Sequence, residues 1–147
     1  MKSLFNIQDR QEIINRISAI NENSERQWGT MTASQMLLHC QAPIKIAVGE
    51  LKLSTNLLFM ILGPIIKKKL MKDIPFEKNL PTHKDFLVKF DPDLVKEQQN
   101  LIAIINSLND KKDSLAIKHP IFGKMSAQQW DILNWKHLDH HLKQFGV

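Results

Sequence analysis

The sequence has little cysteine and no long hydrophobic run, and each shortage excludes a class of protein. One cysteine, Cys40, in 147 residues excludes an intramolecular disulfide and is typical of a reducing compartment, so we expect a cytoplasmic protein. Residues 1–17 turn polar after Phe5 and lack the apolar core of a signal peptide. Repeats and low-complexity tracts are also missing, and we expect one domain over residues 1–147.

The longest apolar stretch covers residues 57–66 (LLFMILGPII) and is too short to cross a membrane. As a helix it would extend roughly 15 Å, about half the thickness of a bilayer core. The Gly63-Pro64 pair is expected to break such a helix. We interpret the stretch as a short buried helix. The alternatives are a contact between the two subunits of a homodimer, or a contact with a membrane surface.

Lysines follow this stretch, and the chain as a whole carries a net charge of +5. The densest cluster comprises Lys67, Lys68, Lys69 and Lys72. Cations suit the C-terminal end of a helix, so we interpret the cluster as a solvated helix end. Nucleic-acid binding is the weaker interpretation, because no zinc finger or RNP-type aromatic strand accompanies the lysines.

The hydrophobic periodicity predicts helices along the chain. Two of them start with capping boxes, in which Thr32 pairs with Gln35 and Ser126 pairs with Gln129. Asp91 followed by a proline predicts a third start, with the aspartate as N-cap. The four long helices are predicted to cover residues 8–22, 32–49, 91–108 and 126–144.

Residues 51–90 form a long connection between the second and third of these helices. We expect a short helix near residues 55–71 and an extended segment at residues 86–90. A long second connection is what a four-helix bundle needs when its middle helices run parallel. We therefore predict an all-α fold, a four-helix bundle of up-down-down-up topology with a long crossover between helices 2 and 3.

Three of the six histidines lie in the last predicted helix. Because successive helical residues advance by about 100°, His137 and His141 share the inward face and His140 lies at its border. Two histidines four residues apart can bind one metal ion from adjacent turns. His39 faces inward on the second helix and would supply a third ligand. The spacing alone leaves open the alternative that these are hydrogen-bonded histidines of the core.

Four further side chains near these histidines have less specific patterns. Trp130 and Met36 lie on the inward faces of their helices, and they are candidate pocket residues as well as candidate core residues. Cys40 adjoins an apolar arc and is predicted to be a buried, unreactive thiol. His119 precedes the last helix and is predicted to anchor a loop rather than to bind a metal ion.

Three segments of the sequence resemble the DinB/YfiT-like superfamily. They are WGTMTASQMLLH at residues 28–39, HPIFGKMSAQQW at residues 119–130 and KHLDHHLKQFG at residues 136–146. The resemblance covers essentially the whole chain and is closest to a branch known only as a domain of unknown function. It implies a four-helix bundle whose metal ion is held by one histidine of the second helix and an HxxxH pair of the fourth.

The resemblance also implies a role for each residue of these motifs. The implied ligands of a divalent metal ion are His39, His137 and His141. Such an all-histidine set suits Zn²⁺ or Ni²⁺ first, with Fe²⁺, Co²⁺ and Mn²⁺ as alternatives. His140 matches an additional histidine that is not a ligand. Gln144 matches a glutamine common in the motif, although Lys143 stands where a glycine usually precedes it, so the role of Gln144 stays open.

Characterised members of the superfamily include thiol-dependent S-transferases and isomerases. The resemblance therefore implies a small-molecule substrate, a low-molecular-weight thiol such as bacillithiol, mycothiol or glutathione as cosubstrate, and a metal-bound thiolate as nucleophile. No carboxylate is expected beside the ligands to act as a base, because Glu50 lies roughly 16 Å along the helix from His39 and Asp139 points to the polar face. The alternatives are a metal-dependent hydrolase and a non-catalytic, metal-stabilised interaction protein.

Overall fold

The computed structural model describes residues 1–55, 57–116 and 118–147, without the side chains of residues 57–60, and it is mostly helical. Within these residues there are five α-helices and one small antiparallel sheet. The helices are α1 (Ile7–Ala19), α2 (Ala33–Ala47), α3 (Leu57–Leu70), α4 (Leu94–Leu108) and α5 (Ala127–Gln144). The sheet pairs β1 (Lys118–His119) with β2 (Gly123–Lys124).

The two predicted capping boxes are confirmed. The Thr32 hydroxyl accepts a hydrogen bond from the Gln35 backbone N–H at the start of α2, and the Ser126 hydroxyl accepts one from Gln129 at the start of α5. In both boxes the glutamine side chain bonds back to the backbone of the cap residue. Each box satisfies two donors that a helix start otherwise leaves free, which defines where both helices begin.

The predicted start of α4 at Asp91 is wrong by two residues, because Asp93 is the N-cap and accepts from the Lys96 backbone N–H. The Asp91 carboxylate instead accepts a hydrogen bond from the Ser34 hydroxyl at 2.8 Å. This bond links the start of α4 to the start of α2. Asp91 therefore bonds Ser34, a residue distant in the sequence, and does not act as the N-cap that the local sequence predicted.

Helix α3 departs from its prediction in two ways. It runs without a break through Gly63 and Pro64, and Pro64 is exposed, so water can bond the carbonyl that a proline leaves without a donor. Gly63 is buried, but the expected burial is wrong for Ile61, Leu62, Ile65 and Ile66, of which Ile61 is 62% and Ile65 is 69% exposed. The side chains of residues 57–60 lie outside the described part of the chain. None of the described helices is both long and apolar enough to cross a membrane.

The rest of the crossover forms no strand at residues 86–90, where an extended segment was expected. A 3₁₀ helix covers Lys84–Phe86, and the residues after it are irregular. The strands β1 and β2 were not predicted. They form around His119, whose Nδ1 accepts hydrogen bonds from the backbone N–H groups of Ile121 and Phe122. This agrees with the predicted loop-anchoring role of His119.

The four long helices pack around a common apolar core. Helix α2 contacts α4 most extensively and also contacts α5, while α1 contacts both α4 and α5. The largest cluster of buried side chains includes Ile13, Ile17, Met36, Leu37, Leu101, Ile105, Leu138 and Leu142. Each such side chain contributes roughly 1.5–3 kcal/mol when it is fully buried. This packing holds α2 and α5 side by side, and these are the helices that carry the histidines.

Candidate metal centre

Three histidines from α2 and α5 meet at one point between these helices. One ring nitrogen from each of His39, His137 and His141 lies within 4.8 Å of the other two. The Nε2 atoms of His39 and His137 are 3.1 Å apart. His39 and His141 are buried, whereas His137 is partly exposed. The packing of α2 against α5 therefore brings together the three histidines that the sequence singled out.

Hydrogen bonds to the outer ring nitrogens set the orientation of two of these imidazoles. Nδ1 of His39 lies 3.2 Å from the carbonyl oxygen of Phe86, and Nδ1 of His141 lies 2.9 Å from Oε1 of Gln144. Because a carbonyl can only accept, each Nδ1 carries the proton and each Nε2 keeps a free lone pair. The two rings are thus held in the tautomer that can bind a cation through Nε2.

The amide of Gln144 is itself held in one orientation. Its Nε2 donates to the carbonyl oxygen of Trp28 at 2.7 Å, so Oε1 must face His141. Gly29 makes room for this contact, since a Cβ atom at this position would overlap with Nε2 of Gln144. Gly29 also has φ of 78°, a conformation that favours glycine. Gln144, whose role the sequence left open, is therefore the residue that orients His141.

Burial lowers the pKa of all three imidazoles. Desolvation is the main cause for each, and it lowers the pKa of His141 to about 3 and that of His137 well below its usual value of 6.5. The mutual repulsion of the clustered imidazolium charges lowers the pKa values further, while the bond to Phe86 partly opposes the shift for His39. At neutral pH the rings are uncharged, which is the state in which imidazole binds metal ions.

The donor set fits a small divalent cation. Nitrogen atoms that share a tetrahedral ion at 2.0–2.1 Å lie roughly 3.3 Å apart, close to the 3.1 Å between the Nε2 atoms of His39 and His137. The remaining separations stay within 4.8 Å, so modest side-chain rotation would bring all three atoms to one ion. On His39 and His141, the acceptors at the outer nitrogens match the arrangement usual around metal-bound histidines.

Of the other predicted pocket residues, His140 lies beside the histidine cluster, and Met36 and Trp130 lie in the buried core. His140 is half-buried, with its ring centroid 5.1 Å from that of His141 and 5.7 Å from that of Trp28. Met36 is fully buried, and its Sδ accepts a hydrogen bond from the Cys40 thiol. Trp130 is also fully buried, and its Nε1 donates to the Ala116 carbonyl at 2.6 Å. Met36 and Trp130 are thus core residues, whereas the His140 ring lies beside the ring of the candidate ligand His141.

The acidic residue expected on the polar face, Asp139, is in fact buried against α1. Its carboxylate accepts from Arg16 at 2.9 Å and from Lys143 at 2.8 Å, and both cations keep it paired. Glu50 pairs with Lys111 at the surface at 2.7 Å. Among the described residues, the cluster that could hold a metal ion consists of the three histidines and contains no carboxylate. Burial also raises the pKa of the Cys40 thiol, which agrees with the expected unreactive cysteine.

Sequence reasoning missed two features of this region. The Phe86 carbonyl that holds His39 comes from the crossover, and nothing in the local pattern marks it. Asn134 is 1% exposed on α5, one turn before His137, and its side-chain amide has no hydrogen-bond partner among the described residues. In the sequence, only the position of Asn134, three residues before His137 on the same helix, could have indicated it.

A family model described as "Protein of unknown function (DUF1569)" matches residues 1–146. No curated protein and no solved structure matches the chain.

Proposed function

We propose that this chain, which belongs to the DUF1569 family, binds one divalent metal ion through His39, His137 and His141. The observation that carries the proposal is the convergence of three ring nitrogens within 4.8 Å. Zn²⁺ and Ni²⁺ are the first candidates, because imidazole suits both and they bind more tightly than Mn²⁺ or Fe²⁺ in the usual affinity order. Fe²⁺, Co²⁺ and Mn²⁺ remain alternatives that metal supply can select.

We further propose that the four long helices form an up-down-down-up bundle of the DinB/YfiT-like type. Contacts at both ends support parallel α2 and α4: Ser34 near the start of α2 bonds Asp91 just before α4. Just beyond the other end of α2, Glu50 pairs with Lys111 beyond α4. Helices whose starts and ends coincide in this way run in the same direction.

The directions of α1 and α5 complete this topology. Near the start of α4, Gln98 donates to the carbonyl of Ile20, just after α1, so α1 and α4 run in opposite directions. The Asp131 carboxylate, near the start of α5, accepts from the backbone of Leu4, just before α1, so α1 and α5 run in the same direction. The crossover at residues 51–90 then connects the two parallel helices, as such a bundle requires.

For the activity, we propose a metal-dependent transferase that acts on a small electrophile with a low-molecular-weight thiol as cosubstrate. Three protein ligands leave a coordination position open, and a bound divalent ion would lower the pKa of a thiol or water there. Phe86 and Gln144 hold the His39 and His141 rings in position, and burial keeps the ligands uncharged.

Two other functions rest on the same cluster. A metal-dependent hydrolase would use water in place of the thiol. A non-catalytic interaction protein would use the metal ion only to stabilise the packing of α2 against α5. Among the described residues the cluster contains no carboxylate, and the nearby Asp139 is paired with Arg16 and Lys143. This favours a thiol over water as the nucleophile, because a thiol ionises more easily.

Elemental analysis of untagged protein tests the metal site first. We expect near-stoichiometric metal in the wild type, and its loss in His137→Ala and in His141→Ala. His140→Ala is the matched control on the same helix and should keep the metal. A wild type without metal after reconstitution with Zn²⁺ or Ni²⁺ would sink the proposal.

Turnover measurements then separate the three functions. Conjugation of a thiol to an electrophile that stops when a chelator is added supports the transferase. Ester or amide hydrolysis without a thiol supports the hydrolase. A metal-dependent rise in melting temperature without either activity supports the non-catalytic protein.

A further inference from the structure

The outer face of α3 exposes a contiguous apolar surface. Ile61 and Ile65 are 62% and 69% exposed, and Leu62 and Ile66 are 41% and 38% exposed. Single exposed apolar side chains are normal on a protein surface, but four within six positions of one helix indicate a surface that another molecule covers.

The opposite side of α3 is fixed against the rest of the protein. A side chain at Gly63 would overlap the backbone of Ile121, so the helix lies directly on the turn between β1 and β2. At the end of the helix, Nζ of Lys136 donates to the carbonyl oxygen of Leu70 at 2.5 Å. Both contacts hold α3 with the isoleucines pointing outward.

The exposed apolar surface continues directly into a basic one. At about 100° per residue, Lys68 lies on the same side of the helix as Ile61 and Ile65, about one turn beyond Ile65. Lys72 follows two residues after the end of α3 at Leu70. Both lysines are exposed, and Lys69 beside them pairs with Glu77 at 2.8 Å. We refer to Ile61, Leu62, Ile65, Ile66, Lys68 and Lys72 together as the α3 face.

The hairpin next to the helix adds to the positive charge. Lys118 and Lys124 are opposite each other in the sheet, and both are exposed. Nζ of Lys67 donates to the carbonyl oxygen of Lys124 at 2.7 Å, which places this pair beside the basic end of α3. The hairpin lies against the side of α3 that carries Gly63 and Lys67, so its lysines add positive charge beside the α3 face and not on it.

We propose that the α3 face binds the surface of a membrane that contains anionic lipids. The isoleucines would enter the boundary between head groups and acyl chains, and the lysines would contact the lipid phosphates. The charge argues against a second copy of the chain, because each subunit carries a net charge of +5 and the same lysines would approach a cationic partner. A nucleic acid would satisfy the lysines and leave the isoleucines in water.

Vesicle sedimentation tests this proposal, which does not depend on the metal site. Wild-type protein is mixed with phosphatidylcholine vesicles, with or without phosphatidylglycerol, at about 0.1 M and about 0.5 M salt. We expect binding only to the phosphatidylglycerol vesicles, and weaker binding at the higher salt. Lys68→Gln with Lys72→Gln should reduce the partition coefficient about thirtyfold, since each lysine at an anionic surface contributes about 1 kcal/mol.

Substitution of the apolar end supplies a second, independent variant. Ile61→Ser with Ile65→Ser should lower the partition coefficient at least tenfold while the helical circular dichroism stays that of the wild type. The matched controls replace exposed residues elsewhere, Ile7→Ser with Val95→Ser, and Lys89→Gln with Lys96→Gln, and they should bind as the wild type does.

Three results would overturn the proposal. The first is wild-type protein that stays in the supernatant with phosphatidylglycerol vesicles at low salt. The second is binding that the α3-face variants and the controls reduce equally. The third is sedimentation equilibrium without lipid that shows a dimer disrupted by the isoleucine substitutions, together with no vesicle binding, in which case a second copy covers the face.

Discussion

The side chain of Gln144 connects a candidate ligand to the segment before α2. Its Oε1 accepts from Nδ1 of His141 and its Nε2 donates to the Trp28 carbonyl. Removal of such a partner typically weakens metal binding, because the ring loses both its orientation and its preferred tautomer. In the proposed metal site, the amide would contribute to metal affinity without contacting the ion.

We expect Gln144→Leu to lower the affinity for Zn²⁺ about 10- to 100-fold. Competition with a chromophoric chelator measures this, and Gln128→Leu, at an exposed position of the same helix, is the control. Equal affinities for the wild type and Gln144→Leu would show that His141 needs no support from this amide.

A second prediction at this scale concerns the glycine beneath that amide. Gly29→Ala introduces a Cβ atom at φ of 78° that also overlaps with Gln144. The backbone conformation alone costs roughly 1–2 kcal/mol, and the displaced amide adds about 1 kcal/mol more. Gly49→Ala is the matched control, because Gly49 has the same φ of 78° with no atom within 4 Å of the new Cβ. Urea unfolding of both variants separates the two costs, and equal losses of stability would remove the Gln144 contact from the explanation.

At the scale of secondary structure, Lys136 is the residue that joins α3 to α5. It is 9% exposed, and its Nζ donates to the carbonyl oxygens of Leu70 and Lys72 at 2.5 and 2.6 Å. These carbonyls lie at the C-terminal end of α3, where a cation is favourable. Burial lowers the pKa of Lys136, and the nearby Asp73 opposes this shift.

Lys136→Met keeps the apolar stem and removes the charge and the hydrogen bonds. We expect the backbone amides of α3 to exchange with solvent hydrogen about tenfold faster, because two bonds to charged donors are worth about 1.5 kcal/mol or more. Hydrogen-exchange mass spectrometry measures this, with Lys143→Met on the same helix as the control. Unchanged exchange in α3 would mean that its other contacts, at Gly63 and between Lys67 and Lys124, are sufficient to hold the helix.

At the scale of the whole molecule, the buried histidines make stability depend on pH. Burial lowers the pKa of His39, His119, His137, His140 and His141. Below about pH 6.5 the unfolded chain binds protons that the folded chain does not. The free energy of unfolding therefore decreases as the pH is lowered. The stability contributed by each uncharged ring is present above pH 6.5 and is lost as pH falls toward the folded-state pKa.

The contribution of His119 to this pH dependence can be measured separately. Its pKa is lowered to about 4, and it is remote from the candidate ligands in the sequence. His119→Asn keeps an oxygen that can accept from Ile121 and Phe122 but does not titrate. Between about pH 6 and pH 4.5, the stability of this variant should fall about 1.2 kcal/mol per pH unit less steeply than that of the wild type. Urea unfolding of chelator-treated protein measures both slopes, and identical slopes would contradict the pKa of about 4.

The sequence by itself determined the features that depend on one helical turn. The capping boxes at Thr32 and Ser126 lie where predicted, because every bond in them joins residues three apart. The shared face of His137 and His141 was predictable for the same reason, since helical periodicity alone places residues four apart together. The inward direction of His39 also followed from this periodicity.

Only the tertiary structure decided the features that depend on partners distant in the chain. The local sequence predicted Asp91 as an N-cap, but in the structure it bonds Ser34, which is 57 residues away. Helical periodicity placed Asp139 on the polar face of α5, but the packing of α1 buries it against Arg16. The role of Gln144, the Phe86 carbonyl and the exposure of α3 likewise follow from which segments pack together. Periodicity and capping act within a turn, whereas burial and long-range hydrogen bonds exist only once the helices are in contact.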